Sequence, residues 1–285
     1  MNLSEISLGC MSLRTEKGKF DQIVDVAIEV GINFFDTADL YDKGINESLL
    51  GEALGNRRKD VYVCSKVGNQ WRQDGSGWDW NPSKSYILSA VEKSLQRLKT
   101  DYLDLYLLHG GTIEDNIDES IEAFEILKQK GLIRAYGISS IRPNVIREYI
   151  KRSNISAVMM QYSILDRRPE ESCLELLAAH EIGVLVRGAL AKGMLIDKVA
   201  KDYLDYSAKE VEAISKKLDE FAPDSLSKIK LVTSYPLASS ATTSLVLGAS
   251  SEKQLRDNVE AQNLPERFVQ EISALSKPIV YEKHR

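Results

Sequence analysis

Residues 31–41 read G-I-N-F-F-D-T-A-D-L-Y. The run 32–35 is short and apolar and stops at Asp36, as a buried parallel strand does when its last residue emerges into a polar space. Tyr41 follows five positions later. Two further apolar runs end the same way, 61–65 leading into Lys66 and 103–108 into His109. A carboxylate, a phenol, an ammonium and an imidazole thus fall at or just past the C-terminal ends of three expected strands. In a parallel barrel those ends converge on one face, the face that carries chemistry.

Outward from this stretch, short apolar runs alternate with longer amphipathic ones eight times. Strands are expected over 6–11, 32–35, 61–66, 103–109, 133–139, 157–161, 183–187 and 245–248. The first helix, 20–30, carries Phe20, Ile23, Val24, Ala27 and Ile28 on one face and closes on Gly31. Later helices are expected over 46–54, 82–98, 118–130, 143–151, 169–180, 208–221, 225–235 and 252–261, with a long loop at 67–81. Right-handed crossovers turn such alternation into a closed (β/α)8 barrel, here a single domain over residues 1–285. The doubly wound alternative requires an early G-x-G-x-x-G turn, and the sequence has none.

Composition supports a globular protein with a full core, at 43% hydrophobic and 28% charged residues. Thirty-seven basic against 42 acidic residues give a net charge of -5 without a long basic block, which argues against nucleic acid or an anionic membrane as partner. No apolar run approaches the roughly 18 residues of a membrane span, and no signal-like segment opens the chain. A cytoplasmic protein is expected. Cys10 and Cys64 fall in apolar runs and Cys173 makes the count odd, so buried thiols are expected rather than disulfides or a metal site. The acidic group Glu114, Asp115, Asp118 and Glu119 reads as a helix start, where carboxylates are favoured.

Reduction of a carbonyl needs a hydride donor, which no side chain can be, and an acid for the oxygen. A tyrosine is a weak acid, with a reference pKa of about 10, and a neighbouring ammonium lowers that value. Lys66 is placed to do so for Tyr41, with Asp36 as its counter-ion and His109 donating a hydrogen bond to the carbonyl oxygen. Taken singly, Asp36 and Lys66 read equally well as a buried ion pair, Tyr41 as a loop aromatic and His109 as a core residue. The joint placement at three strand ends favours a site. His180 and His284 read as surface residues.

The segments F-F-D-T-A-D-L-Y (34–41), V-Y-V-C-S-K (61–66) and D-Y-L-D-L-Y-L-L-H (101–109) together resemble the aldo-keto reductase family. The resemblance implies a TIM barrel that uses NADPH, with NADH left open, to reduce small aldehydes or ketones. It implies Tyr41 as general acid, with Asp36, Lys66 and His109 completing the catalytic set. By the same resemblance G-I-S-S (137–140) places Ser139 on the nicotinamide carboxamide, helped by Gln161. R-G-A-L-A-K-G (187–193) nominates Gly188 and Leu190 for the pyrophosphate. G-A-S-S-E-K-Q-L-R-D-N (248–258) nominates Ser250, Ser251, Gln254 and Asn258 for the adenosine end, where a helix N-terminus suits an anion.

The chain departs from the family pattern at several positions. Ser140 stands in place of an asparagine, and Arg187 in place of an aromatic stacking on the nicotinamide; a guanidinium is planar too, but charged. Ser250 and Ser251 stand where NADPH-preferring relatives offer a basic residue, a role Lys253 or Arg256 would have to fill. Gly110 and Gly111 replace a proline-bearing turn after His109, and the first strand starts too early to leave room for most of the N-terminal hairpin that closes the barrel floor in the family.

Trp71, Trp78 and Trp80 all lie in the 67–81 loop, where they would line an apolar substrate pocket or pack the loop onto the barrel. Two other functions compete with reduction: a Schiff-base aldolase using Lys66, and a cofactor-binding regulatory subunit without turnover. The spacing Tyr62-x-x-x-Lys66 also occurs in short-chain dehydrogenases, but on a strand the pair would lie about 13 Å apart. That reading is rejected.

Overall fold

The computed structural model describes residues 1–259 and 266–285. In chain order its strands are β1 (Ile6–Gly9), β2 (Phe34–Asp36), β3 (Tyr62–Val67), β4 (Asn69–Trp71) and β5 (Trp78–Trp80). Then come β6 (Leu103–Leu108), β7 (Ile133–Ser139), β8 (Ala157–Gln161), β9 (Gly183–Arg187) and β10 (Thr242–Leu247). Eight of them close a parallel barrel in the order β1-β10-β9-β8-β7-β6-β3-β2, with β4 and β5 forming a separate hairpin. Closure is made at β1, where Ile6 pairs with Leu245 on one side and Leu8 with Phe35 on the other.

Ten helices lie outside or between the strands of the described residues: α1 (Lys17–Glu29), α2 (Ile45–Leu54), α3 (Lys84–Leu98), α4 (Ile117–Gln129) and α5 (Pro143–Arg152). The rest are α6 (Cys173–Ala179), α7 (Ala208–Leu218), α8 (Ser225–Leu237), α9 (Glu252–Val259) and α10 (Glu266–Ser273). Several starts are fixed by side-chain caps. Ser207 and Glu210 form a reciprocal capping box on α7, Asn116 accepts from the Glu119 amide on α4, and Asp224 accepts from the Ser227 amide on α8. Asp118 and Glu119 sit in the first turn of α4, as their charge favours.

The core has two layers. Inside the barrel Phe34, Cys64, Leu105, Leu107, Ala135, Ala157, Met159, Leu185 and Val246 pack together. Outside it Phe35, Val63, Tyr106, Leu108, Ile138 and Val158 meet the helices. Side chains alternate along a strand, so every second residue from an inward one also points inward. Counting in twos from Phe34, Cys64 and Leu107 reaches Asp36, Lys66 and His109; counting from Ala135, Met159 and Leu185 reaches Ser139, Gln161 and Arg187. The parity that fills the core therefore aims six polar side chains at the C-terminal mouth.

The sequence expectations hold for the eight-fold alternation and differ in detail. The first strand ends at Gly9 because Cys10–Ser12 turns into a 3-10 helix. The helix expected over 169–180 breaks at Ser172 into a 3-10 turn, Arg168–Glu171, and α6. Helix α8 runs through Pro236 to Leu237 instead of stopping before the proline. The loop at 67–81 folds on itself as the β4–β5 hairpin, and α10 is an additional helix beyond the last one expected from the sequence. The last two residues of the helix expected over 252–261 lie outside the described residues. No strand precedes β1 among the described residues; Leu3 and Tyr62 pack beneath the inner core at the barrel floor. Cys10, Cys64 and Cys173 are buried free thiols. No helix of the described residues is long and apolar enough to cross a membrane.

Leu107 is fully buried in the inner layer, where surrounding strands cannot collapse around a void. Leu107→Ala is expected to cost about 2–5 kcal/mol, read as a lowered urea midpoint with an unchanged m value.

Candidate active site

Asp36 ends β2, Lys66 lies near the end of β3, and both are almost completely buried. Their side chains meet at 2.6 Å, and the Lys66 ammonium also donates to the Thr37 carbonyl at 2.8 Å and reaches the Tyr41 hydroxyl at 3.1 Å. The Tyr41 and His109 rings stand edge to face with centroids 5.9 Å apart. The four residues nominated from three separate strand ends are thus brought into one cluster.

Burial pushes the Asp36 carboxyl up against the pull of Lys66, and the other three respond to the same pair. Burial alone would discharge Lys66, but the Asp36 carboxylate and the Tyr41 oxygen hold its pKa above the ordinary lysine value. Such a lysine is no Schiff-base nucleophile, which needs a free amine. Burial raises Tyr41 above its usual phenol value; Lys66 pulls it down, as expected from the sequence, without overcoming the burial. His109 is pushed down to about 3 by burial, by Lys66 and by Arg187, so it is a neutral imidazole able to donate one N–H. Its Nδ1 is buried without a hydrogen-bond partner.

Tyr41 is carried by a turn rather than by a strand. After it come Asp42 at φ 50°, Lys43 at φ 56° and Gly44 at φ 85°, three consecutive left-handed residues. Each of the two non-glycines costs roughly 1–2 kcal/mol in that conformation, so the surroundings must hold the turn. Beneath it lies a polar network that motif reading missed. The fully buried Glu47 accepts from Ser65 at 2.5 Å and from Arg97 at 2.6 Å, while Asn46 accepts from Thr37 at 2.8 Å and donates to the Cys10 carbonyl at 2.9 Å. Asp39 is also buried, and burial and Glu47 push its carboxyl up to about 7. The only hint in the sequence is the polar pair Asn46-Glu47 opening a helix directly after the turn.

The remaining nominated residues form two groups. On the β7 to β9 side, Ser139 and Gln161 end their strands and Arg187 donates to Gln161 Oε1 at 3.0 Å. Gln161 Nε2 in turn donates to Asp166 at 2.8 Å and to the Tyr203 hydroxyl at 3.0 Å. Gly188 adopts φ 74°, and a Cβ there would meet the Gln161 side chain at 3.1 Å, so the turn into Leu190 is both left-handed and tight. At α9, Ser250 bonds Gln254, the Gln254 amide donates to Ser251 at 3.2 Å, and Asn258 donates to the Gly248 carbonyl at 3.3 Å. Asn258 Oδ1 is buried and unpartnered. A narrow turn, a helix N-terminus and an orphaned amide oxygen suit the phosphates and the base of a dinucleotide.

Of the two basic candidates on α9, Arg256 is engaged by Glu252 and Glu29, while Lys253, itself exposed, pairs among the described residues with Asp257 at 2.5 Å. The tryptophans divide. The indole N–H of Trp71 donates to the Leu40 carbonyl at 3.3 Å and that of Trp80 to Asp115 at 3.0 Å, whereas Trp78 is 48% exposed.

The sequence profile of the Aldo/keto reductase family matches residues 5–277. The chain belongs to the aldo-keto reductase family. It is therefore an oxidoreductase dependent on a nicotinamide cofactor. It is 54% identical to the oxidoreductase YqkF of Bacillus subtilis over 100% of its own length and 96% of that protein. It is 31% identical to an NADH-specific methylglyoxal reductase of Escherichia coli, covering 85% of this chain and 82% of the relative. The holo form of the aldo-keto reductase AKR11C1 of Bacillus halodurans superposes with a TM-score of 0.93 at 51% identity, over 99% of this chain and 95% of that one.

His109 takes up its proton near pH 6.5 when unfolded but only near pH 3 in the folded reductase. Between those values the unfolded state holds more protons, so acidification lowers stability, by about 1.4 kcal/mol per pH unit from this group. From pH 6.5 to pH 5 the wild type is expected to lose about 2 kcal/mol that His109→Asn does not lose, in paired urea titrations at each pH.

Proposed function

We propose that this aldo-keto reductase uses NADPH to reduce small aldehydes or ketones to alcohols, with Tyr41 as the general acid. The observation that carries the reading is the Tyr41 hydroxyl at 3.1 Å from a Lys66 ammonium that is itself 2.6 Å from Asp36. A bound nicotinamide dinucleotide supplies the hydride. Tyr41 keeps its proton at neutral pH and gives it to the developing alkoxide. Lys66, held charged by Asp36, stabilises the phenolate left behind. The neutral His109 donates to the same carbonyl oxygen and orients it.

Ser139 and Gln161 would hold the carboxamide, with Gln161 fixed by Asp166, Tyr203 and Arg187. Gly188, Leu190 and the first turn of α9 would take the phosphates, and Asn258 the base. Preference for NADPH rests on Lys253, because Arg256 is tied to Glu29. An exposed i,i+4 pair such as Lys253 with Asp257 is worth about 0.3–0.5 kcal/mol, so a 2'-phosphate would readily draw the lysine away. The opposing observation is the NADH-specific relative together with Ser250 and Ser251 in this chain.

Tyr41→Phe is expected to lower turnover about 100-fold or more while dinucleotide affinity, followed by protein fluorescence, stays within about twofold of wild type. Comparable turnover by that variant would remove Tyr41 as the acid. Lys253→Ala is expected to weaken NADPH binding about fivefold and leave NADH binding unchanged; equal effects on both would assign the 2'-phosphate elsewhere.

A further inference from the structure

Strand β4 of the hairpin donates to the main chain at two points of the active-site cluster, the carbonyl of Leu40 beside Tyr41 and the carbonyl of His109. We propose that this hairpin is a brace that sets the Tyr41 phenol against the His109 imidazole, with Trp71, Lys43 and Asn69 as positioning residues. The inference rests on the roles given to Tyr41 and His109 under Proposed function.

The Tyr41 turn cannot hold itself, because Asp42 and Lys43 both occupy left-handed backbone. Part of what holds it from outside comes from the hairpin, beside the network of Asn46, Glu47 and Arg97 below. Trp71 Nε1 donates to the carbonyl of Leu40, the residue before Tyr41, at 3.3 Å. The Lys43 ammonium lies 5.1 Å above the Trp71 ring and donates to the Gly75 carbonyl at the hairpin tip at 3.4 Å. Two residues before Trp71, on the same strand and the same face, Asn69, itself buried, donates through Nδ2 to the His109 carbonyl at 3.3 Å. The next anchor is Trp80, whose indole N–H reaches Asp115 at 3.0 Å while Asp115 accepts from the Thr112 amide at 2.6 Å, in the segment that follows His109. The Trp80 ring lies 2.6 Å from where a Cβ on Gly68 would be, so the strand end and the indole fit only with glycine there.

The hairpin holds β4 in place through its own pairing. Asn69 pairs with Trp80, Gln70 with Asp79 and Trp71 with Trp78, and Arg72 grips both carboxylate oxygens of Asp79 at 3.0 Å. A single strand bonded to Leu40 through Trp71 and to His109 through Asn69 ties the acid and the imidazole to a common support. Displacing a reacting group by about 1 Å lowers a rate by about 100-fold. On this account Trp71 acts through Tyr41 and is not a wall of the substrate pocket.

The test is single-turnover oxidation of NADPH by saturating aromatic aldehyde in wild-type and Trp71→Phe protein. The substitution keeps the ring beneath Lys43 and removes only the N–H. The expected result is a rate about tenfold lower, with the aldehyde KM and the NADPH Kd within about twofold of wild type. The pH at which the rate loses the Tyr41 proton should also move, since the phenol shifts relative to Lys66. Lys43→Met changes an exposed side chain and tolerates any folding defect of the first variant; it should show the same split with a loss of about threefold. A Trp71→Phe rate less than about threefold below wild type, or a raised KM at an unchanged rate, overturns the brace alone. Absence of turnover in the wild type overturns the reductase reading and the brace with it.

Discussion

The Asp36–Lys66 ion pair is the constraint on which the rest of the site depends. Two opposite charges are taken out of water inside the barrel mouth, where desolvation penalises each by several kcal/mol and only close pairing compensates. The remaining ammonium hydrogens are satisfied by the Thr37 carbonyl and the Tyr41 hydroxyl, so the geometry of the lysine dictates where the phenol must stand. Its charge in turn helps to keep His109 neutral. One buried cation thereby adds to burial at His109 and opposes it at Tyr41.

Barrel architecture explains why these groups meet. Inward parity on β2, β3 and β6 gives Asp36, Lys66 and His109, and the same parity on β7, β8 and β9 gives Ser139, Gln161 and Arg187. The residues that pack the interior and those that line the mouth are successive members of one alternating series. Chemistry at the mouth is thus an extension of the core, and its side chains inherit the rigidity of the strands beneath them.

Tyr41 is the exception, because it sits on a turn with left-handed backbone immediately after it. A turn of this kind persists only when its environment over-determines it. Here the supports come from both sides: the buried Glu47, Arg97 and Asn46 network from α2 and α3 below, and the β4–β5 hairpin above. Asp39 lies between them with one carboxylate oxygen buried and unpartnered, a local cost tolerated two residues before the phenol.

The amino-acid sequence by itself determined the eight-fold alternation, the three polar residues ending apolar runs, and hence a parallel barrel with chemistry on one face. Hydrophobic periodicity is local, and a strand that ends in Lys66 or His109 announces itself within ten residues. The sequence did not contain the hairpin in any legible form, since N-Q-W and W-D-W pair only when the intervening turn closes. Nor did it disclose that burial outweighs Lys66 at Tyr41, that Arg256 is taken by Glu29, or that Glu47 is fully buried. Desolvation and ion pairing depend on which distant segments enclose a group, and that enclosure exists only once the tertiary structure has formed.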